Sequence, residues 1–249
     1  MRGAVVLLGL VIAGPAAAAC PDVPTVARFA RALLERQVPE PFPGLSPADA
    51  RCAQERLVAV LAQPWGDVSG IALAAEALPA LRGSLFFANL RAGSGAAIEA
   101  RFGARPAVAP GLLVGIGADG RIETARPYLA LLDLAAMPSG MDAAQRIAGN
   151  LGLRLGVQGP ATPVTDPAAL GAGAVLQADG SVLAASMGLA AAPAVLLAGL
   201  ARDMAAEGRP LRPGEQVALL GAPLPVPPRP GETWRMAVNG LGAVTVAFR

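Results

Sequence analysis

The stretch RPAVAPGLLVGIGADGRIETARPYLALLD, residues 105–133, decides how this chain folds. Two long apolar runs flank Gly117-Ala118-Asp119-Gly120, and Asp-Gly is a strong signal for a tight turn between antiparallel strands. The runs read as the two strands of a hairpin. Gly115, Gly117 and Gly120 also match the spacing G-x-G-x-x-G. A dinucleotide site needs a helix opening at the third glycine and an acidic residue about 20 positions on. Here Pro127 follows in an extended context, so the stretch reads as a hairpin and not as a nucleotide loop.

Similar texture continues on the C-terminal side. AVLQADGSVLA (174–184), QVALLG (216–221), WRMAV (234–238) and AVTVAF (243–248) read as strands, with Asp179-Gly180 as a second turn dipeptide. One helix interrupts them, predicted from Pro193 to Glu207 and stopped by Gly208. On the N-terminal side the pattern is helical. Val26, Phe29, Ala30, Leu33 and Leu34 form one predicted stripe. Ser46, Pro47 and Asp49 predict a capped second helix with Leu57, Val58 and Leu61 on its apolar face. Two helices followed by a mostly antiparallel sheet with one late helix give the α+β class. Trp65, Trp234 and Tyr128 are expected to pack in or at the rim of the core.

Composition narrows the chemistry. The 249 residues carry 20 basic side chains, all of them Arg, against 18 acidic ones and no His. The absence of His and Lys removes imidazole-based triads, imidazole metal sites, Schiff-base lysines and the P-loop lysine. A formal charge of +2 leaves no electrostatic footprint for nucleic acid. The richness in Ala, Gly, Pro and Arg is also what a biased genome composition produces. Acid–base chemistry would have to come from carboxylates, one Tyr and two Cys.

The first 19 residues read as a cleaved secretory signal. Arg2 precedes a short apolar run, Pro15 breaks it, and Ala17 and Ala19 stand where a signal peptidase needs small residues. The run is shorter than the about 20 residues that a membrane span requires, and no other stretch is a span. A periplasmic or secreted location follows. Lipid attachment at Cys20 is the competing reading. Export makes a Cys20–Cys52 disulfide the favoured pairing, worth about 3 to 4 kcal/mol for a loop of this length, against two free thiols. The expected organisation is therefore a leader over 1–19, a helical segment over 20–65 and a β-rich part over 66–249, the last two forming one globular unit.

From Leu45 to Arg249 the order of motifs resembles the fumarylacetoacetate hydrolase superfamily, in particular its 2-oxopent-4-enoate hydratase and oxalocrotonate decarboxylase branch. The segments are LSPADARCAQERLVAVL (45–61), RGSLFFANL (82–90), FGARPAVAPGLLVGI (102–116), PYLALLDLAAM (127–137), AGNLGLRLGVQG (148–159), the helix and strand over 186–222, and the closing hairpin over 227–248. The resemblance implies a mixed β-roll preceded by a helical segment. It also implies a carboxylate-held Mg²⁺ or Mn²⁺ that stabilises the enolate of a 2-oxo acid.

The resemblance places the family's metal ligands at Ala109, Gly111 and Ala130, whose side chains offer no ligand atom. Ala88 stands where an Asp usually follows the G-x-L-F element, and no Lys is present near Ile71 and Ala72. Phe86, Asp133, Asn150 and Arg154 match retained family positions and are the candidate pocket residues; the alternative is that they satisfy buried backbone or one another. Glu76, Glu99 and Glu123 are the nearest spare carboxylates and are expected on solvated faces.

The expectation is an exported, hydratase-like protein without metal-dependent catalysis, requiring no cofactor and binding a small carboxylic or 2-oxo acid or a partner. Two alternatives stand. One is an active metal-dependent lyase or hydrolase using displaced carboxylates with Mg²⁺ or Mn²⁺. The other is a structural subunit that forms homo-oligomers through the late helix and a sheet edge.

Overall fold

The computed structural model describes residues 20–137, 142–171 and 173–249; the expected leader over 1–19 lies outside them. Helix α1 (Val23–Leu34) starts where the Asp22 carboxylate accepts the Thr25 N–H at 2.9 Å. It buries Val26, Phe29, Ala30 and Leu33. Leu34, expected on the same stripe, lies beyond its edge and is 38% exposed. Helix α2 (Pro47–Trp65) opens with the expected capping box: Asp49 N–H donates to Ser46 Oγ and Ser46 N–H donates to the Asp49 carboxylate. The Phe29 and Phe42 rings stack 4.5 Å apart beneath the two helices. A Cys20–Cys52 disulfide ties the start of the described chain to α2. That bond occupies the sulfur that lipid attachment at Cys20 would need.

The remaining elements follow in order: β1 (Val68–Ala74), β2 (Leu81–Phe86), α3 (Phe87–Leu90), β3 (Ala92–Gly93), β4 (Ala96–Ile98), β5 (Pro106–Ile116), β6 (Ile122–Asp133), α4 (Ala143–Ala148), β7 (Leu153–Gln158), β8 (Thr162–Pro163), β9 (Ala174–Ala178), β10 (Ser181–Ala184), α5 (Pro193–Ala206), β11 (Gln216–Leu220), β12 (Thr233–Val238) and β13 (Gly242–Phe248). They form two sheets. The larger has the order β2-β1-β11-β5-β6-β7-β3, with β8 beside β6, and the smaller the order β10-β9-β12-β13-β4. Most ladders are antiparallel, as expected; β1 with β11, β3 with β7 and β4 with β13 are parallel. The architecture is a mixed α+β roll with an N-terminal helical segment.

The strands β5 and β6 are the spine, paired from Pro106–Asp133 to Ile116–Ile122. Gly117 N–H donates to Arg121 O, and Gly120 takes the left-handed φ of +76° that closes the hairpin. Both faces of β5 are covered. Val108, Leu112 and Val114 point to the core shared with Trp234, Val244 and Phe248 of the smaller sheet. Ala109 and Leu113 point to a second apolar cluster with Tyr128, Ala130, Leu151 and Leu220. A third cluster joins α1 and α2 to Phe86, Ala136 and Ala148, so the helical segment packs on the β-rich part.

The strand β2 is an edge, and its exposed backbone is capped by side chains. Asn150 Oδ1 accepts the Ser84 N–H at 2.7 Å, and Asn150 Nδ2 donates to Ser84 O at 2.9 Å. Gln54 donates to Arg82 O. These bonds occupy groups that would otherwise be open to pairing with another strand. Asn150 and Leu151 both adopt left-handed φ, +51° and +58°, to make this approach. Gly83 permits it, because a Cβ there would lie 2.9 Å from Leu151 Cδ1.

Candidate functional site

Ala109, Gly111 and Ala130 lie on neighbouring positions of the β5–β6 ladder. Ala109 and Ala130 are direct partners across β5 and β6, and Gly111 pairs with Tyr128 on one side and Leu220 on the other. Residues 109 and 111 share a face of β5, as the period of two requires. Ala109 and Ala130 are fully buried, in the cluster that holds Leu113, Tyr128, Leu151 and Leu220. A Cβ on Gly111 would stand 2.5 Å from Leu219 O, so the backbone of β11 excludes a side chain there.

Tyr128 is the polar group of this patch. Its phenol donates to Asn89 O at 3.0 Å, and burial pushes its pKa up, which keeps it neutral. Among the described residues, no three Asp, Glu, Cys or His side chains gather in a metal-holding group. Mg²⁺ and Mn²⁺ require hard, mostly anionic oxygens. The side chains at these positions do not fit such a cation.

The polar candidates Asp133, Asn150 and Arg154 lie on the helical side. Asp133 accepts three backbone N–H groups, from Ala104 and Arg105 at 2.9 Å and from Ala135 at 3.0 Å. It fixes the entry to β5 and the exit from β6. The Arg154 guanidinium lies 4.5 Å over the Trp65 ring, and its Nε donates to Phe102 O. Burial pushes the Arg154 pKa down, the nearby Arg36 adds to this, and Asp133 opposes it. Phe86 meets the same Trp65 ring edge-on at 5.3 Å.

Asp133, Asn150 and Arg154 thus converge with Trp65, but around a void of only about 10 Å³. A water needs roughly 10–15 Å³, so this space holds one water at most. Glu99 and Glu123 are exposed, as expected. Glu76 is not: it forms an ion pair with Arg146, with side-chain exposures of 12% and 11%.

No family model matches the sequence, and no curated protein matches it. Solved structures do match in fold. A 4-oxalocrotonate decarboxylase from Pseudomonas putida G7, complexed with magnesium and adipate, superposes with a TM-score of 0.76 over 91% of this chain and 97% of its own, at 17% identity. This chain shares the fold of that decarboxylase. A fumarylpyruvate hydrolase from Pseudomonas aeruginosa, in complex with Mn²⁺ and pyruvate, gives a TM-score of 0.53 over 72% of this chain and 88% of its own, at 19% identity. A putative fumarylacetoacetate hydrolase family protein from Yersinia pestis CO92 gives 0.51 over 72% and 91%, at 18% identity.

The apolar cluster opens, at one end, into a cavity of about 130 Å³. Ala74, Leu132, Leu151 and Leu220 form its apolar wall, and Arg105 and Arg146 supply its charge. Sequence reading passed over both arginines. Arg105 stands in the decisive stretch but reads there only as a strand-leading Arg-Pro. Arg146 reaches the cavity from α4, which packs against α2 and β2. No local pattern announces that contact.

Proposed function

We propose that this chain is an exported, metal-independent, non-catalytic protein on the fumarylacetoacetate hydrolase fold that binds a small carboxylate. The observation that carries the reading is the direct, fully buried pairing of Ala109 with Ala130 beside side-chain-free Gly111. Three ligands lost together, with apolar packing in their place, leave nothing to polarise a 2-oxo acid. The chain also lacks His and Lys, the other common proton carriers at neutral pH. The Cys20–Cys52 disulfide and the leader-like residues 1–19 support passage into an oxidising compartment. The small-carboxylate assignment is supported by the arginines of the 130 Å³ cavity and by the pyruvate held by one structural neighbour.

Thermal unfolding with added divalent cation tests the metal-free reading. A ligand at 100 times its Kd stabilises a folded protein by about 2.7 kcal/mol. The expected result is no shift of Tm with millimolar Mg²⁺ or Mn²⁺, and no turnover of 2-hydroxypenta-2,4-dienoate. A cation-dependent rise in Tm together with turnover would overturn it. Mass spectrometry of the exported protein is expected to give a chain beginning at Cys20; an intact leader would overturn the export reading.

A further inference from the structure

The cavity beside the apolar patch has a definite shape and charge. Its wall is built from the ends of β1, β6 and β11 and from Leu151, and α4 contributes Arg146. Arg146 spends one guanidinium N–H on Glu76, and that contact is this side chain's ion pair among the described residues. Arg105 lines the same cavity, is exposed, and makes no ion pair among the described residues. Arg146 is paired with Glu76, whereas the Arg105 guanidinium has no ion-pair partner among the described residues and is available to an anion. A guanidinium presents five donors in a planar fork that suits a carboxylate.

Volume then limits the ligand. An apolar cavity of about 150 Å³ takes benzene, so about 130 Å³ admits a molecule of roughly six heavy atoms. We infer that the cavity lined by Arg105, Arg146, Ala74, Leu132, Leu151 and Leu220 is a binding site for a short-chain monocarboxylate of three to five carbons. The inference rests on the carboxylate-binding reading and gives it a location and a size. The head group sits between Arg105 and Arg146, and the alkyl tail lies against Ala74, Leu132, Leu151 and Leu220. No metal takes part. A six-carbon dicarboxylate is excluded twice, by its length and by a second charge that would have to enter the apolar end.

Isothermal titration calorimetry on the mature, disulfide-bonded protein tests this with butyrate, pyruvate, adipate and n-butylamine as probes. Butyrate and pyruvate are expected to bind. Adipate and n-butylamine, the latter with the same tail and the opposite charge, are expected not to. Arg105→Gln, an exposed change that leaves the core alone, is expected to weaken butyrate at least tenfold. Ala74→Leu fills the apolar end and is expected to abolish binding; should that variant fail to fold, Arg105→Gln decides. Butyrate affinity unchanged in Arg105→Gln would overturn this location while leaving carboxylate binding intact. Absence of binding by butyrate and pyruvate alike would overturn both.

Discussion

Ala109 and Ala130 face each other across the central β5–β6 ladder, and neither has any exposed surface. The relationship turns a pair of candidate ligand positions into part of a hydrophobic core. A carboxylate on either would enter an apolar cluster in which the phenol of Tyr128 is already bonded to Asn89 O.

The variant Ala130→Glu should therefore be costly. A buried, unpaired carboxyl is expected to destabilise by at least about 3 kcal/mol, read as a lower urea midpoint. Burial raises the carboxyl's folded pKa above its unfolded value of about 4.3. The folded state then holds the proton more tightly, so the variant should lose stability as pH rises from below that value through the raised one. A cost under 1 kcal/mol, flat with pH, would mean that the patch is open to water.

Asn150 is expected to be a structural keystone of the β2 edge. Asn150→Ala loses two hydrogen bonds to Ser84 and leaves a β-carbon at a φ of +51°. The expected loss is about 2–3 kcal/mol. Asn150→Gly keeps the backbone conformation and loses only the bonds, so it should retain about 1 kcal/mol more than the alanine variant. Chemical denaturation of both separates the two contributions.

Removing the disulfide should act mainly on the unfolded chain. Cys20 and Cys52 are 32 positions apart, and Cys52→Ser is expected to cost about 3–4 kcal/mol in the chain-entropy account. Reduction of the native protein by dithiothreitol should reproduce that loss, followed by the shift in denaturation midpoint. A reduced protein as stable as the oxidised one would contradict it.

Glu207 gives a pH signature. The hydrogen bond from Arg82 is the main influence holding its carboxyl below the ordinary value of 4.5, with Arg209 adding to it and desolvation opposing it. A lowered folded pKa contributes stability above 4.5 that is lost as pH falls through the folded value. The stability gap between the native protein and Glu207→Gln is therefore expected to be present at pH 7 and to close below about pH 4. The gap should be small, because Glu207 is 30% exposed and its ion pairs are screened.

Local chemistry made much of the fold legible. The Asp119-Gly120 turn joins β5 to β6, the Ser46–Asp49 capping box starts α2, and Pro193 starts α5. Each signal acts within a few residues of its effect. Leu34 and Glu76 were misjudged for opposite reasons. Leu34 falls at the margin of a helical stripe, where the neighbouring surface decides burial. Glu76 is buried by Arg146, 70 positions away in sequence.

The sequence by itself determined that the side chains of Ala109, Gly111 and Ala130 offer no metal ligand, that His- and Lys-based chemistry is absent, and that Cys20 has one possible partner within the chain, Cys52. Those are facts of side-chain chemistry, independent of conformation. Only the tertiary structure decided that Leu151 and Tyr128 occupy the space beside the two alanines, and that Arg105 and Arg146 meet over a small cavity. Such contacts join segments far apart along the chain. They are set by how two sheets and a packed helix fill volume together, which no short window of sequence specifies.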